Sequence, residues 1–136
     1  MSLSREYSAP LLYIDGDWIG ADARESEPVY NPATAQEIGR VPHATSTDLD
    51  RAVEAAGRAF PAWAALSADE RGKILLRAQA LIRERATEIA RVATLENGKN
   101  YREALAEVQR SSGTLSWYAE VAKRAYGRVF PSDAST

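Results

Sequence analysis

The chain contains no cysteine among its 136 residues. This absence excludes disulfide bonds, thiolate ligands for a metal ion and a cysteine nucleophile. Histidine is almost as scarce, since His43 is the only one and follows Val41-Pro42 in a predicted loop. A zinc site has no support without a second histidine or a cysteine, so we interpret His43 as a surface loop residue.

The sequence also lacks a charge excess and any long apolar run. Lys plus Arg total 17 and Asp plus Glu total 19, which gives a net charge of -2. This balance provides no general attraction to nucleic acid or to an anionic membrane. No apolar run approaches the roughly 20 residues that cross a bilayer, and residues 1–6 lack the apolar stretch of a secretion signal. We therefore expect no nucleic-acid partner, no membrane partner and a cytoplasmic location.

Glycine-rich nucleotide motifs are missing as well. No dinucleotide-binding glycine pattern and no nucleophile elbow occurs, and Gly98-Lys99 lacks both the glycine spacing and the following Ser or Thr of a phosphate-binding loop. What is present is 45% apolar and 26% charged content, typical of a soluble globular domain with its own core.

Residues 11–44 read as two strand pairs. Asp15-Gly16-Asp17 lies between two apolar runs, a strong signal for a tight β-hairpin. Asn31-Pro32-Ala33-Thr34 separates a second pair, with Pro28 and Pro42 expected at its outer ends. Because proline donates no ladder hydrogen bond, these strands are predicted to be edge strands.

From residue 47 onward the apolar period changes from 2 to about 3.6, which predicts helices. Thr47 is the candidate N-cap of the first helix, with Asp50 at the capping-box position. Pro61 should end or bend this helix and leave Trp63 and Leu66 in a connector. The apolar stripe of the helix is predicted to contain Leu49, Val53, Ala56 and Phe60.

The second helix has the clearest start signal, because Ser67 and Glu70 form a capping-box pair. Its pattern loses an apolar residue at Arg85, so a break between residues 84 and 87 is plausible. A third helix should stop at Asn97-Gly98 in a left-handed conformation. The last helix should begin near Tyr101 and continue to residues 125–127.

Acidic and aromatic residues of the helical part have ordinary interpretations. Glu103 and Glu107 lie four residues apart beside Lys99 and Arg110, which indicates charge pairing on a helix face rather than acid–base catalysis. The tryptophans at positions 18, 63 and 117 are interpreted as core or interface anchors rather than as a platform for stacking bases.

Four ordered blocks carry a family resemblance. They are Tyr13-Ile14-Asp15-Gly16-Asp17-Trp18-Ile19, Tyr30-Asn31-Pro32-Ala33-Thr34, Asp48-Leu49-Asp50-Arg51-Ala52-Val53 and Thr94-Leu95-Glu96-Asn97-Gly98-Lys99. In this order they closely resemble the N-terminal part of the NAD(P)-dependent aldehyde dehydrogenases. The later blocks Trp117-Tyr118-Ala119-Glu120 and Lys123-Arg124-Ala125-Tyr126-Gly127 look most like the succinate-semialdehyde dehydrogenase branch.

The resemblance implies an α/β family fold, of which this chain alone should be mostly α-helical with an N-terminal β-hairpin region. It implies an N-terminal tail at 1–10, a β-hairpin arm at 11–44, the helical part of a cofactor-binding domain at 45–127, and the start of an oligomerisation hairpin at 128–136. Family members are longer, and their partners here would be the remainder of the parent enzyme and further copies in a homo-oligomer.

The resemblance also implies a function that this chain cannot complete. The parent would oxidise succinate semialdehyde or a similar small aldehyde to the acid with NAD or NADP. The family's catalytic Cys, general-base Glu, oxyanion-stabilising Asn and nucleotide-binding units match segments beyond Thr136. No catalytic or cofactor-binding residue and no nicotinamide cofactor is therefore expected for this chain alone, which should be inactive and looks truncated.

One candidate site follows from the resemblance. Some family members hold a monovalent cation with backbone carbonyls before the Asn-Pro turn and with an acidic side chain at the helix corner, which match Val29, Tyr30 and Glu96 here. The family often has Asp at that corner, where this chain has Glu, whose side chain is one methylene longer. The alternative is a solvated carboxylate at a helix end.

Two function classes remain open at this stage. The chain is either a segment of a dehydrogenase or a free-standing helical interaction module without catalysis. Edge strands and uncovered apolar surface favour the segment, because an isolated piece would expose both.

Overall fold

The computed structural model describes residues 7–127 and has the element order β-β-β-β-α-α-α-α. Four short strands precede four helices, as the change of apolar period near residue 47 predicts. The elements are β1 (Leu12–Ile14), β2 (Asp17–Ile19), β3 (Ser26–Asn31), β4 (Gln36–Pro42), α1 (Ser46–Ala65), α2 (Ala68–Glu84), α3 (Ala86–Asn97) and α4 (Tyr101–Ala122).

The first hairpin is confirmed. β1 and β2 pair in antiparallel fashion around a two-residue turn at Asp15-Gly16. Both turn residues have positive φ, 56° and 92°, as a type I′ turn requires. Tyr13 lies directly opposite Trp18, and their ring centroids are 4.6 Å apart.

The second hairpin is also confirmed but is longer than predicted. β3 and β4 pair antiparallel from Ser26↔Pro42 to Asn31↔Gln36, with a register shift beside Val29 and Tyr30. The placement of Pro28 at an outer end was wrong, because β3 begins two residues earlier and Pro28 pairs with Arg40. Because the sheet has only two strands, each strand keeps one unpaired edge. A proline such as Pro28, which has no backbone N–H to donate, is tolerated in such a strand.

The predicted start of the first helix was wrong by two residues. Thr45, not Thr47, is the N-cap, and Asp48, not Asp50, completes the capping box. The Thr45 hydroxyl accepts from the Asp48 amide at 3.1 Å, and the Asp48 carboxylate accepts from the Thr45 amide at 2.9 Å. Both threonines have an Asp three residues on, so the local pattern alone does not decide between them.

Pro61 does not end α1. The helix continues through Trp63 to Ala65, which leaves only Leu66 and Ser67 between α1 and α2. A proline inside a helix removes one hydrogen bond, here to the carbonyl of Gly57 four residues earlier. Because this stretch of α1 is exposed, water can bind that carbonyl instead.

The predictions for α2 and α3 are confirmed. Ser67 caps α2 and forms the capping box with Glu70. Arg85 is both the C-cap of α2 and the N-cap of α3, and it lies in the interval 84–87 in which a break was predicted. α3 ends at Asn97, and Gly98 follows in the left-handed conformation with φ 77°.

α4 begins at Tyr101 as predicted, after the N-cap Asn100, but its predicted end was three or more residues too late. After Ala122 the backbone bonds shorten to the i−3 pattern, with Lys123 bonded to Glu120 at 3.3 Å and Arg124 bonded to Val121 at 2.9 Å. The chain therefore leaves the helix in a tight turn. Gly127 has the expected positive φ of 73°, although it lies beyond the helix.

α2 and α4 form the main packing contact, and they approach through small residues. An added Cβ on Gly72 would lie 3.4 Å from the carbonyl oxygen of Ala119, at van der Waals contact, so the two helices approach closely there. Polar side chains follow along the same seam: Gln79 donates to Ser116 at 3.0 Å, and Arg83 donates to the fully buried Ser112 at 3.2 Å.

The larger apolar residues are mostly exposed. The buried apolar side chains among the described residues are small or medium in size, namely Ile14, Pro42, Ala86, Ala90, Ala104 and Ala119. Of the two roles expected for the tryptophans, a core position does not hold for Trp18 and Trp117, which are 68% and 64% exposed, and an interface role stays a prediction. The apolar stripe of α1 is likewise uncovered, and Phe60 is 67% exposed.

The chain is therefore mostly helical with N-terminal hairpins, as predicted. The predicted oligomerisation hairpin at 128–136, and residues 1–6 of the predicted tail, lie outside the described residues.

Candidate functional site

The corner between α3 and α4 packs against the turn between β3 and β4. An added Cβ on Gly98 would lie 2.8 Å from Cγ of Pro32, so the backbone and the proline ring are in direct contact. The turn itself is held by Asn31, whose side-chain oxygen accepts from the Ala33 amide at 2.9 Å. Two segments that are distant in sequence thus meet at one place.

The three candidate cation ligands lie around this contact. Val29 and Tyr30 belong to β3, and Glu96 belongs to the last turn of α3. β3 packs against α3, so the strand and the helix end are neighbours. Within residues 7–127, His, Cys, Asp and Glu side chains form no group of three or more that could hold a metal ion. Binding of a monovalent cation by these residues stays a prediction.

Glu96 has a partner that the sequence did not reveal. The Tyr7 hydroxyl donates a hydrogen bond to Oε1 of Glu96. The Tyr7 ring also lies against β4, where an added Cβ on Gly39 would come within 2.6 Å of Tyr7 Cε1. Burial is the larger cause and the hydrogen bond to the Glu96 carboxylate the next, and together they raise the pKa of Tyr7 to about 12. No sequence signal links these residues, because 89 positions separate Tyr7 from Glu96.

Glu96 also lines a shallow groove along α3. The groove encloses about 470 Å³. Its lining is made of Arg85, Glu88, Ile89, Val92, Ala93 and Glu96. Charged side chains at both ends therefore border an apolar floor.

A second polar cluster joins the loop before β3 to the start of α1. Arg24 donates from Nη1 to the Asp48 carboxylate at 2.9 Å and to the His43 carbonyl at 3.2 Å. Asp48 is only 4% exposed. Hydrogen bonds from the Thr45 amide and hydroxyl, and then from Arg24, lower the pKa of Asp48 to about 2. The cluster is therefore a structural clamp in which Asp48 is ionised at neutral pH.

His43 lies in the loop after β4, as predicted. Its Nδ1 is 3.7 Å from Glu25 and its Nε2 is 3.7 Å from Glu27, and its side chain is 40% exposed. Two carboxylates on either side of an exposed imidazole form a surface ion-pair cluster when the imidazole is protonated.

The acidic pair on α4 behaves as predicted at Glu107. Lys99 Nζ lies 2.6 Å from Oε2 of Glu107. The hydrogen bond from this ammonium lowers the pKa of Glu107. The arrangement pairs charges across the start of α4 and uses the carboxylate as an acceptor.

Two serine hydroxyls of α4 have structural roles. Ser112 and Ser116 accept bonds from α2 and donate to backbone carbonyls one turn earlier, so both hydroxyls serve helix packing. None of the helices in the described range has the length and apolarity that a bilayer crossing needs.

Comparison with known proteins identifies the family. The sequence profile of the Aldehyde dehydrogenase family matches residues 18–136. A glutarate-semialdehyde dehydrogenase of Pseudomonas aeruginosa is 43% identical over 119 residues, which are 88% of this chain and 25% of that protein. The NADP(+) succinate-semialdehyde dehydrogenase GabD of Escherichia coli is 40% identical over 118 residues, which are 87% of this chain and 24% of that protein.

The fold agrees with this match. The solved structure of PnpE in complex with nicotinamide adenine dinucleotide superposes with a TM-score of 0.85 at 37% identity, and the match covers 93% of this chain and 26% of that one. The chain thus spans about a quarter of the length of the relatives that it matches. With the profile matching seven-eighths of the sequence and the helices and hairpins superposing as well, this chain belongs to the aldehyde dehydrogenase family and corresponds to its N-terminal part.

Proposed function

We propose that this chain is the N-terminal segment of an NAD(P)-dependent aldehyde dehydrogenase whose substrate is a small aldehyde that carries a carboxylate. The observation that carries this proposal is the family match over residues 18–136 together with relatives four times as long. Glutarate-semialdehyde and succinate-semialdehyde dehydrogenases are both among these relatives. Their substrates share an aldehyde at one end and a carboxylate at the other.

The contribution of this segment to the reaction is structural. The sequence contains no cysteine, so the thiolate that attacks the aldehyde must come from another part of the parent. The nicotinamide supplies hydride acceptance when bound. Residues 45–127 provide helices of the cofactor-binding domain, and residues 11–44 provide an arm that packs on them. We assign no catalytic or cofactor-binding residue to this chain.

Exposed apolar side chains support a parent enzyme over a free-standing module. Phe60 and Trp117 are more than 60% exposed within the described part of the chain. A stable module would be expected to bury such side chains, whereas a segment of a larger fold leaves them for its neighbours. The remaining three quarters of the parent are the partner that we propose for this surface, in a homo-oligomeric cytoplasmic enzyme.

The test begins with the natural gene product that contains this chain. Its mass, or the coding sequence after Thr136, shows whether the polypeptide continues. The purified product should oxidise succinate or glutarate semialdehyde with NAD or NADP, as followed by absorbance of the reduced nicotinamide. Propionaldehyde, which lacks the carboxylate, is the matched control substrate and should give a lower kcat/KM.

Two results would contradict the proposal. A native stop codon directly after Thr136, with a cooperative monomeric product, would favour the helical interaction module. Equal kcat/KM for propionaldehyde and the semialdehydes would leave the family assignment intact but would remove the carboxylate-bearing substrate class.

We further propose that Val29, Tyr30 and Glu96 bind a monovalent cation in the parent. The contact of β3 with α3 and the contact of Gly98 with Pro32 support this proposal, because they bring the strand and the helix corner together. Potassium should raise the thermal midpoint of the natural product over a choline control of equal ionic strength. Glu96→Gln should abolish this rise, and the matched variant Glu103→Gln should keep it. An unchanged midpoint in potassium would exclude the site.

A further inference from the structure

Tyr7 contacts β4 at Gly39 and the last turn of α3 at Glu96. We propose that Tyr7 is a positioning residue for Glu96, and that its two contacts form a strap which ties the β3–β4 hairpin to the end of α3. The Tyr7 strap is defined as the Tyr7 ring on Gly39 and the Tyr7 hydroxyl on Glu96. It rests on described contacts and depends neither on the parent's activity nor on cation binding.

The first contact of the Tyr7 strap requires a glycine. Tyr7 Cε1 and Cδ1 would lie 2.6 and 2.8 Å from a Cβ at position 39, closer than side-chain carbons approach in proteins. Gly39 sits in β4 and pairs with Val29 of β3. The missing side chain at Gly39 therefore leaves the space in which the ring lies, and a ring in that space packs directly on the sheet backbone.

The second contact fixes the carboxylate. The Tyr7 hydroxyl donates to Oε1 of Glu96, and hydrogen bonds to an ionised acceptor are stronger than those between neutral groups. The raised pKa of Tyr7 agrees with a phenol that is partly buried beside a carboxylate. One side chain thus holds both the strand and the last turn of α3.

The two contacts of Tyr7 form a second connection between the β3–β4 hairpin and the end of α3. Pro32 already meets Gly98 at the end of α3, and the Tyr7 strap adds a polar tie at Glu96, two residues earlier. Two attachment points suppress the pivoting that a single contact permits. Glu96 is consequently held in one orientation relative to β3 and β4, and local opening of the last turn of α3 is disfavoured.

A double-mutant cycle with amide hydrogen exchange tests the Tyr7 strap in the natural gene product. The probe is the Gly98 amide, which bonds to the Thr94 carbonyl at 2.9 Å and closes the last turn of α3. Tyr7→Phe should speed exchange at this amide by about fivefold, the effect of one net hydrogen bond. Glu96→Gln weakens the same bond, so Tyr7→Phe should add little in the Glu96→Gln background.

Gly39→Ala tests the ring contact separately. The added methyl group must displace the ring, so this variant should speed exchange at Gly98 about as much as Tyr7→Phe does. The matched control is Tyr126→Phe, since Tyr126 is 83% exposed, and this change should leave exchange at Gly98 unaltered.

Two outcomes would overturn the proposal. Independent, additive effects of Tyr7→Phe and Glu96→Gln would show that the two side chains do not act together. Unchanged exchange at Gly98 in Gly39→Ala would show that the ring position does not matter to the corner.

Discussion

Arg24 shows what a single side chain contributes to the start of a helix. Its guanidinium reaches Asp48 in the first turn of α1, at 2.9 Å from the carboxylate. Two Thr-x-x-Asp patterns overlap at residues 45–50, and the structure uses the one whose aspartate Arg24 can reach. The capping box that forms is thus accompanied by a contact over 24 positions, which a local capping pattern does not contain.

The Asp48 clamp gives stability a defined dependence on pH. The pKa of Asp48 is about 2 in the folded protein, below its ordinary value, so the folded state binds fewer protons than the unfolded state. Its contribution is complete above the unfolded pKa of about 4 and is lost as pH falls toward 2. Asp48→Asn should therefore lower the thermal midpoint at neutral pH and flatten its decline between these values, as measured by circular dichroism.

The control for this prediction is Asp50→Asn on the same helix. Asp50 is exposed and lies outside the capping box, so this variant should keep the wild-type decline. An equally steep decline in Asp48→Asn would mean that other carboxylates cause the acid sensitivity.

Gly98 combines two requirements that only glycine meets. Its φ of 77° disfavours other residues, and a Cβ would lie 2.8 Å from the Pro32 ring. Gly98→Ala should therefore lower the free energy of unfolding by about 1 to 3 kcal/mol in urea denaturation. Gly113→Ala is the matched control, because Gly113 lies inside α4 with no other side chain or distant backbone within 4 Å of an added Cβ, and it should gain about 1 kcal/mol.

At the scale of elements, the α2–α4 pair is organised by the absence of bulk. Gly72 and Ala119 allow the two helices to approach closely. Near the start of α2 and the end of α4, Lys123 forms ion pairs with Asp69 and Glu120. The sequence pattern predicted both helices but not this pairing. A helical pattern shows which residues share one face of a helix, but it does not show which other helix that face meets.

A large residue at position 72 should separate these helices. Gly72→Leu places a branched side chain against the Ala119 backbone and should cost about 1 to 3 kcal/mol of unfolding free energy. Gly57→Leu is the control on α1, where an added Cβ meets nothing within 4 Å, and should cost less. Equal effects would show that helix packing at Gly72 tolerates bulk.

Element positions followed from local signals wherever the signal was unique. Ser67 with Glu70, Asp15 with Gly16, and Asn97 with Gly98 each marked a boundary that the structure confirms. Pro61 misled because its effect depends on surroundings: an exposed helix can lose one hydrogen bond to water and continue. The contact of Tyr7 with Glu96 could not be predicted, since it joins positions that only the fold brings together.

At the scale of the whole molecule, α1 is the least covered helix. Arg58 and Arg51 pair with Asp15 and Asp17 of the first hairpin on one side, while the apolar stripe on the other side is open. Exposed apolar stripes of this kind promote association. The change from strands to helices was predictable from the period of apolar residues in the sequence. The segment that would cover the apolar stripe of α1 was not predictable, because no described residue covers it.

Replacing the stripe should reduce self-association of the 136-residue chain. Val53→Ser with Phe60→Ser removes two side chains that are 64% and 67% exposed, so the helical circular dichroism should change little while the apparent mass in light scattering falls. Asp50→Ser with Glu54→Ser, two exposed polar positions of the same helix, is the control, and it should not lower the apparent mass. An unchanged mass in the apolar variant would show that another surface mediates association.

Arg85 joins α2 and α3 with φ −97° and ψ 10°, while the i−4 bonds run through it, from its own amide to Leu81 and from Ile89 to its carbonyl. Because a single residue joins the two helices, the number of residues at this joint sets the rotation of α3 about its axis relative to α2. Deleting it would turn α3 by about 100° about its axis. Glu96 would then point away from β3. Replacing Arg85 by another helix-compatible residue would instead preserve the rotation of α3. The number of residues at this joint is therefore under tighter constraint than the identity of the residue.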